Sequence, residues 1–235
     1  HLSIRRQRQM CIRDSDWMQD LLEWFDWYLK GEGREPELHV EIQSNQGSWR
    51  TEDRYPASDT TELIFELGTD LNLVSGSSSV LPDSSSGPVY ESAPLSEDMY
   101  IQGLPRFHVE VRTSSYGGQL YALLEDCDGS YCIHIGHAIM DLRYHEGGEE
   151  LSPSWIPNFE TITARMEFIA LDAEIPEGHT IRLSLKSTGE DYLPASTSSI
   201  VTVLEGSGST LQLDTFNPED RRYWDPPVCT HAVCE

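Results

Sequence analysis

The chain has 235 residues, enough for one large domain or two small ones. Its 16 Lys and Arg stand against 40 Asp and Glu, a formal net charge of −24 that opposes binding to nucleic acid or to an anionic lipid surface. Hydrophobic residues make up 38% and aromatics 9%, too many for a wholly disordered chain, and no apolar run approaches the roughly 20 residues of a membrane span.

Residues 1–15 open with HLSIRRQRQMCIRD. Arg5, Arg6, Arg8 and Arg13 gather basic charge in an otherwise acidic chain, and no apolar h-region makes them a secretory signal. The segment is expected to be a non-native or disordered leader, resembling translated sequencing-adapter read-through. From Asp16 the pattern changes. Trp17, Leu21, Trp24, Phe25 and Tyr28 recur on one face of a helix, with Ser15 as N-cap and Gly31 and Gly33 as the stop, so 16–33 is predicted helical. An aromatic stripe this broad must pack on something.

After Gly33 the texture is β. Leu38–Gln43 alternates and Trp49–Pro56 reads as a turn. Strands are predicted at Glu62–Leu67, Phe107–Arg112, Gln119–Glu125, Tyr131–Leu142, Thr161–Leu171, Thr180–Lys186, Ile200–Leu204 and Thr210–Leu213. Clusters of Gly, Pro, Asn, Asp and Ser separate them at the short spacing of sandwiches and barrels. No strand–helix–strand alternation appears. The expected fold is all-β: an antiparallel β-sandwich over 34–216, preceded by a short helix. Ser75–Pro88 is low-complexity and reads as a flexible loop, and 217–235, with Trp224-Asp225-Pro226-Pro227, as an irregular tail.

The cysteines are Cys11, Cys127, Cys132, Cys229 and Cys234. Cys127/Cys132 and Cys229/Cys234 form two C-x-x-x-x-C pairs, a spacing poorly suited to zinc. Cys127 and Cys132 flank Asp128-Gly129-Ser130-Tyr131, a hairpin turn across which they can face each other. Both pairs are either disulfides or free thiols; as disulfides they imply an oxidising compartment, extracellular or cell envelope.

Few residues fall in a pattern that carries chemistry. A serine hydrolase of the α/β class needs G-x-S-x-G for its strained nucleophile turn, and neither Gly76-Ser77 nor Gly206-Ser207-Gly208-Ser209 supplies it. His134 and His137 form an H-x-x-H, but on a regular strand an offset of three places them on opposite faces, where they cannot share a metal. Asp126-Cys127-Asp128-Gly129 imitates the opening of a calcium loop, yet His137 stands where a bidentate Glu is required, so a hairpin is the better reading. Trp49, Tyr116, Trp155 and Trp224 either stack on sugars or pack corners. No catalytic, cofactor-binding or metal residue is assigned.

Four strings carry a resemblance. Trp24-Phe25-Asp26-Trp27-Tyr28-Leu29-Lys30-Gly31 resembles the "WFDxWLKG" helix end of X-Pro dipeptidyl-peptidases and cocaine-esterase-like acyl hydrolases. Trp49–Pro56 (WRTEDRYP) resembles the family's "WRxxDxWP", Ser92–Gly103 (SAPLSEDMYIQG) its "SxPLxxDxxIxG", and Gly178–Leu183 (GHTIRL) its "GHRIRL" strand. The resemblance implies a C-terminal jelly-roll, similar to galactose-binding-like domains, attached to an α/β-hydrolase domain whose tail is the helix. In that family the catalytic serine, aspartate and histidine lie upstream of the helix, so none carries over here. The cysteine pairs and the Ser-rich loop depart from the family and suggest an exported version. The implied function is a non-catalytic module of a serine hydrolase acting on a peptide or ester, its partner being the missing domain of the same polypeptide. The alternative is a free-standing glycan- or protein-binding sandwich, against which the aromatic helix already leans.

Overall fold

The computed structural model describes residues 17–36, 39–76, 78–81, 87–145, 153–189, 192–193 and 199–224. Helix α1 (Trp17–Phe25) widens into a π turn over Asp26–Lys30. It ends where Gly31 takes φ 72°, a left-handed cap whose N–H donates to the Trp27 carbonyl at 3.1 Å. Leu22, Trp24, Phe25 and Leu29 stay exposed along it. The leader His1–Asp14 and the N-cap expectation at Ser15 lie outside the described residues.

The chain divides into two compact units, and the small one holds α1 together with 39–43, 47–54 and 221–224 of the described residues. Its sheet has the order β1 (Val40–Gln43), β2 (Trp49–Glu52) and β16 (Arg222–Trp224), antiparallel throughout. Two expectations are corrected here. Trp49–Glu52 is a strand rather than part of a turn, and Arg222–Trp224 is a strand where irregular chain was expected. Each supplies the other's hydrogen bonds, with Trp49 opposite Trp224. The alternation of β2 is inverted, because its buried residues are Arg50 and Glu52.

The large unit, Ser44–Gln46 and Tyr55–Asp220, is the β-sandwich. Its strands are β3 (Thr61–Leu67), β4 (Leu71–Leu73), β5 (Val80–Leu81), β6 (Val89–Ser92), β7 (Met99–Gly103), β8 (Arg106–Thr113), β9 (Gln119–Cys127) and β10 (Cys132–Asp141). β11 (Thr161–Glu167), β12 (Leu171–Ile175), β13 (Thr180–Lys186), β14 (Val201–Leu204) and β15 (Gly206–Thr215) complete it. The continuous ladder runs β10-β9-β13-β6-β4-β3-β15-β8-β14-β5, with β11 on β8, and β7 joining β12 to β15. All pairs are antiparallel except one bridge, Leu67 with Leu71. Alternation decides which side faces in. On β8, Phe107, Val109 and Val111 are fully buried between less buried neighbours, and on β13 Ile181, Leu183 and Leu185 meet them in one core with Leu120 and Leu124 of β9. Each such side chain gains about 1.5–3 kcal/mol by leaving water.

The predicted strand Thr161–Leu171 is two strands. β11 pairs with β8 as far as Glu167, Phe168 then donates to the Pro105 carbonyl at 2.8 Å, and β12 continues on a different partner, β7. The Ser-rich stretch is not wholly a loop: Val80 and Leu81 pair with Thr202 and Val201, and Leu81 is fully buried.

Candidate functional site

Two of the motif strings meet in space. The Leu95 N–H donates to the His179 carbonyl (2.8 Å), and the Gly178 N–H donates back to Leu95 (2.9 Å). Ser92 Oγ accepts from the Ile181 N–H at 3.0 Å, while Asp98 Oδ1 accepts from the Glu177 N–H at 2.8 Å. The polar residues of Ser92–Gly103 thus clasp the start of β13. In the other string, Tyr55 donates its hydroxyl to the Leu171 carbonyl (2.6 Å) and accepts from the Gly103 N–H (2.9 Å), tying β7 to β12. Both sets are braces, and the side chains named in them are engaged in structure.

A half-buried face of β6, β13 and β9 carries a row of charges. Arg182 lies opposite both Glu91 and Glu125. Its guanidinium donates to Glu91 Oε2 at 2.8 and 3.1 Å, and Thr180 donates to Glu91 Oε1 at 2.6 Å. Burial alone would raise the Glu91 carboxyl, but the Thr180 and Arg182 bonds outweigh it and hold the group below the usual carboxylate range. Asp141 behaves alike: its partial burial is outweighed by the Arg143 guanidinium and backbone N–H.

The β9–β10 hairpin concentrates the remaining candidate groups. Cys127 and Cys132 are disulfide-bonded and opposite each other in register, whereas Cys229 and Cys234 fall outside the described residues. Within the turn, Asp128 Oδ1 accepts from the Ser130 and Tyr131 N–H groups at 2.8 Å each, and these bonds depress its carboxyl. The turn-forming carboxylate here is that of a hairpin, as read from the sequence. Replacing both cysteines by serine is expected to lower stability by about 2 kcal/mol, because the bond closes a short loop in the unfolded chain. Urea titrations of the oxidised protein and the double variant check this, with equal midpoints as the contrary result.

The expectation for His134 and His137 is overturned. Between His134, opposite Glu125, and Gly136, opposite Leu124, the register slips so that Ile135 is an extra residue. A β-bulge turns the odd offset into a shared face. His137 Nδ1 lies 3.3 Å from His134 Nε2, and His137 Nε2 lies 2.9 Å from the Tyr192 hydroxyl. Tyr121 stacks on the same imidazole at 5.7 Å. The sequence did hold a signal, a glycine inside an apolar strand, which marks bulges.

Asp126, met in the sequence only in a calcium-loop-like string, and His179, met only in the GHTIRL string, come together in the fold. The buried Asp126 Oδ1 is 2.7 Å from His179 Nδ1. Among the described residues no hydroxyl hydrogen-bonds His179. The four aromatics considered for sugar stacking form two pairs. Trp49 and Trp224 are 5.3 Å apart in the small unit, and Tyr116 and Trp155 stack at 4.7 Å and 10° on the sandwich, both exposed.

The carboxylates and hydroxyls described above mostly brace neighbouring strands, and the class of protein that the fold defines is an antiparallel β-sandwich. The chain is a member of the family described as the X-Pro dipeptidyl-peptidase C-terminal non-catalytic domain, whose model matches residues 31–223. Solved structures with the same fold include a CocE/NonD family hydrolase from Staphylococcus aureus, 12% identical with TM-score 0.64 over 85% of this chain and 46% of that one. An aminopeptidase from a marine sediment Thaumarchaeota archaeon is 13% identical with TM-score 0.62, covering 83% of this chain and 43% of its own. An alpha-amino acid ester hydrolase is 15% identical with TM-score 0.61, over 83% of this chain and 44% of that one. The chain spans less than half the length of each. No curated protein matches it in sequence.

Proposed function

We propose that this module works as the C-terminal part of a serine hydrolase that cleaves an X-Pro peptide bond or an ester, the reaction being carried by a preceding α/β-hydrolase domain. The observation that carries this reading is the family match over 31–223, joined to the three structural relatives named above, a CocE/NonD family hydrolase, an aminopeptidase and an alpha-amino acid ester hydrolase, each about twice the matched length. The exposed apolar side chains of α1 support it, since a helix bearing Leu22, Trp24, Phe25 and Leu29 on its surface is suited to pack against a further layer. The sandwich is read as a jelly roll of the galactose-binding-like kind. It lies over one side of the catalytic cleft, shaping the substrate pocket and excluding water so that electrostatic interactions there strengthen. Trp49–Pro56 and Pro94–Asp98 are the stretches assigned to that interface. The Cys127–Cys132 disulfide supports an extracellular or cell-envelope location.

The test has two arms. The chain alone, offered an X-Pro chromogenic amide and a short-chain ester, is expected to show no serine-dependent turnover. Reading the gene upstream of Asp16 is expected to reveal an in-frame α/β-hydrolase domain with a G-x-S-x-G elbow, and mutating that serine should abolish turnover by the longer polypeptide. Turnover by this chain alone, or an upstream frame with no such elbow, would overturn the reading.

A further inference from the structure

We propose that His134 and His137 form a bidentate site for a borderline divalent transition-metal ion, Zn2+ or Cu2+, on the β9–β10 hairpin, with Tyr192 as a positioning residue. The proposal stands on the hairpin's own geometry and does not depend on the hydrolase reading.

Two imidazole nitrogens bound to one tetrahedral ion at about 2.0–2.1 Å sit about 3.3 Å from each other. His137 Nδ1 and His134 Nε2 are already 3.3 Å apart and share a hydrogen bond, whose proton an incoming ion displaces to water as both lone pairs turn to the metal. The bulge at Ile135 is what permits this, and the disulfide two residues before His134 ties the end of the hairpin that bears it. A metal-ligating histidine characteristically gives its other ring nitrogen to a hydrogen-bond acceptor, which fixes tautomer and orientation. His137 has that arrangement, since Nε2–H can donate to the Tyr192 hydroxyl at 2.9 Å, leaving the Nδ1 lone pair for the ion. Tyr192 is itself held over the strand: its N–H donates to the Gly189 carbonyl at 3.1 Å. Gly189 packs so closely on the Tyr121 ring that a Cβ there would come within 2.6 Å of it. Tyr121 in turn stacks on His137 at 5.7 Å, so the imidazole has a wall on one side and an acceptor at its edge.

Among the described residues no three His, Cys, Asp or Glu side chains gather to hold a metal ion. The site is therefore a two-nitrogen one completed by water. Imidazole donors favour Cu2+ over Zn2+ and both over Mg2+ or Ca2+. A net charge of −24 raises the local concentration of any cation.

Metal-stripped full chain is titrated with ZnCl2 and CuCl2 by calorimetry, beside His134→Ala, His137→Ala, Tyr192→Phe and, as a control, His39→Ala. Each histidine variant is expected to weaken the tightest site by roughly tenfold or more, and Tyr192→Phe by roughly tenfold, as for other groups that orient a ligand. His39→Ala should bind as the wild type. The Cu2+ electron paramagnetic resonance spectrum should show coupling to two imidazole nitrogens, falling to one in either histidine variant. In the unaltered chain, Zn2+ should shift the ring protons of both histidines together. Wild-type affinity in both histidine variants, or ring protons of His134 and His137 that ignore millimolar Zn2+, would overturn the proposal.

Discussion

Replacing Glu52 by Leu is expected to cost the small unit about 3–5 kcal/mol, and more than replacing Arg50 by Met. Glu52 Oε1 lies 2.6 Å from Arg50 Nε and 3.4 Å from Arg221 Nε. All three side chains are buried, with only 2%, 5% and 7% of the Arg50, Glu52 and Arg221 side chains exposed. In Glu52→Leu two buried guanidiniums lose the carboxylate they share, and nothing in leucine offsets the charge. In Arg50→Met the carboxylate keeps Arg221, so the loss should fall nearer the 1.5–3 kcal/mol of one hydrogen bond to a charged group. The readout is favourable. Of the six tryptophans, Trp17, Trp24, Trp27, Trp49 and Trp224 belong to the small unit and only Trp155 to the sandwich. Urea unfolding followed by tryptophan fluorescence therefore weights the unit in which the ions lie. A midpoint for Glu52→Leu equal to that of the wild type, or a larger shift for Arg50→Met, would contradict this account. Arg50 is also the first arginine of the family-like string WRTEDRYP, and its place in a buried ion cluster explains the residue without any contact to substrate.

The same strand shows why some of the fold was legible in the sequence and some was not. β8 and β13 put apolar residues inward at every second position over seven or eight residues, and pattern reading finds them. β2 has the same period with charges in the inward positions, so hydropathy reads it as a turn. β4, β5 and β16 have three, two and three residues, too few to establish any period; each exists because a distant strand supplies its hydrogen bonds. The hairpin around Asp128 was legible because turn chemistry is local. The histidine pair was not, because the face of a side chain after a bulge depends on where the register slips, and Gly136 alone carried that information. The aromatic stripe of α1 was legible as a face needing cover, and Trp24, Phe25 and Tyr28 of it are exposed, as the proposed hydrolase reading expects.

The Ser-rich stretch gives the other large effect. Leu81→Ala is expected to cost about 2–5 kcal/mol and Gly87→Ala about 3 kcal/mol, although both positions lie within Ser75–Pro88, which reads as a polar loop. Leu81 is fully buried and pairs with Val201 at the edge of the ladder, so truncating it leaves a cavity in a core that also holds Leu185 and Val203. At Gly87 the obstacle is backbone. A Cβ would lie 2.2 Å from the Leu185 carbonyl oxygen and 3.0 Å from Leu81 Cδ1. The second contact is the end of a side chain and can move; the first is part of β13, next to the bond from the Leu185 N–H to the Pro88 carbonyl at 2.9 Å. Removing the Leu81 side chain should therefore not rescue Gly87→Ala, and the double variant should remain less stable than Leu81→Ala alone. Urea unfolding followed by far-UV circular dichroism measures all three, with the exposed Ser75→Ala as a control expected within about 0.5 kcal/mol of the wild type. If Leu81 and Gly87 belonged to a free loop, both substitutions would be as silent as the control. A double variant as stable as Leu81→Ala would place the clash on the side chain instead of on the strand backbone.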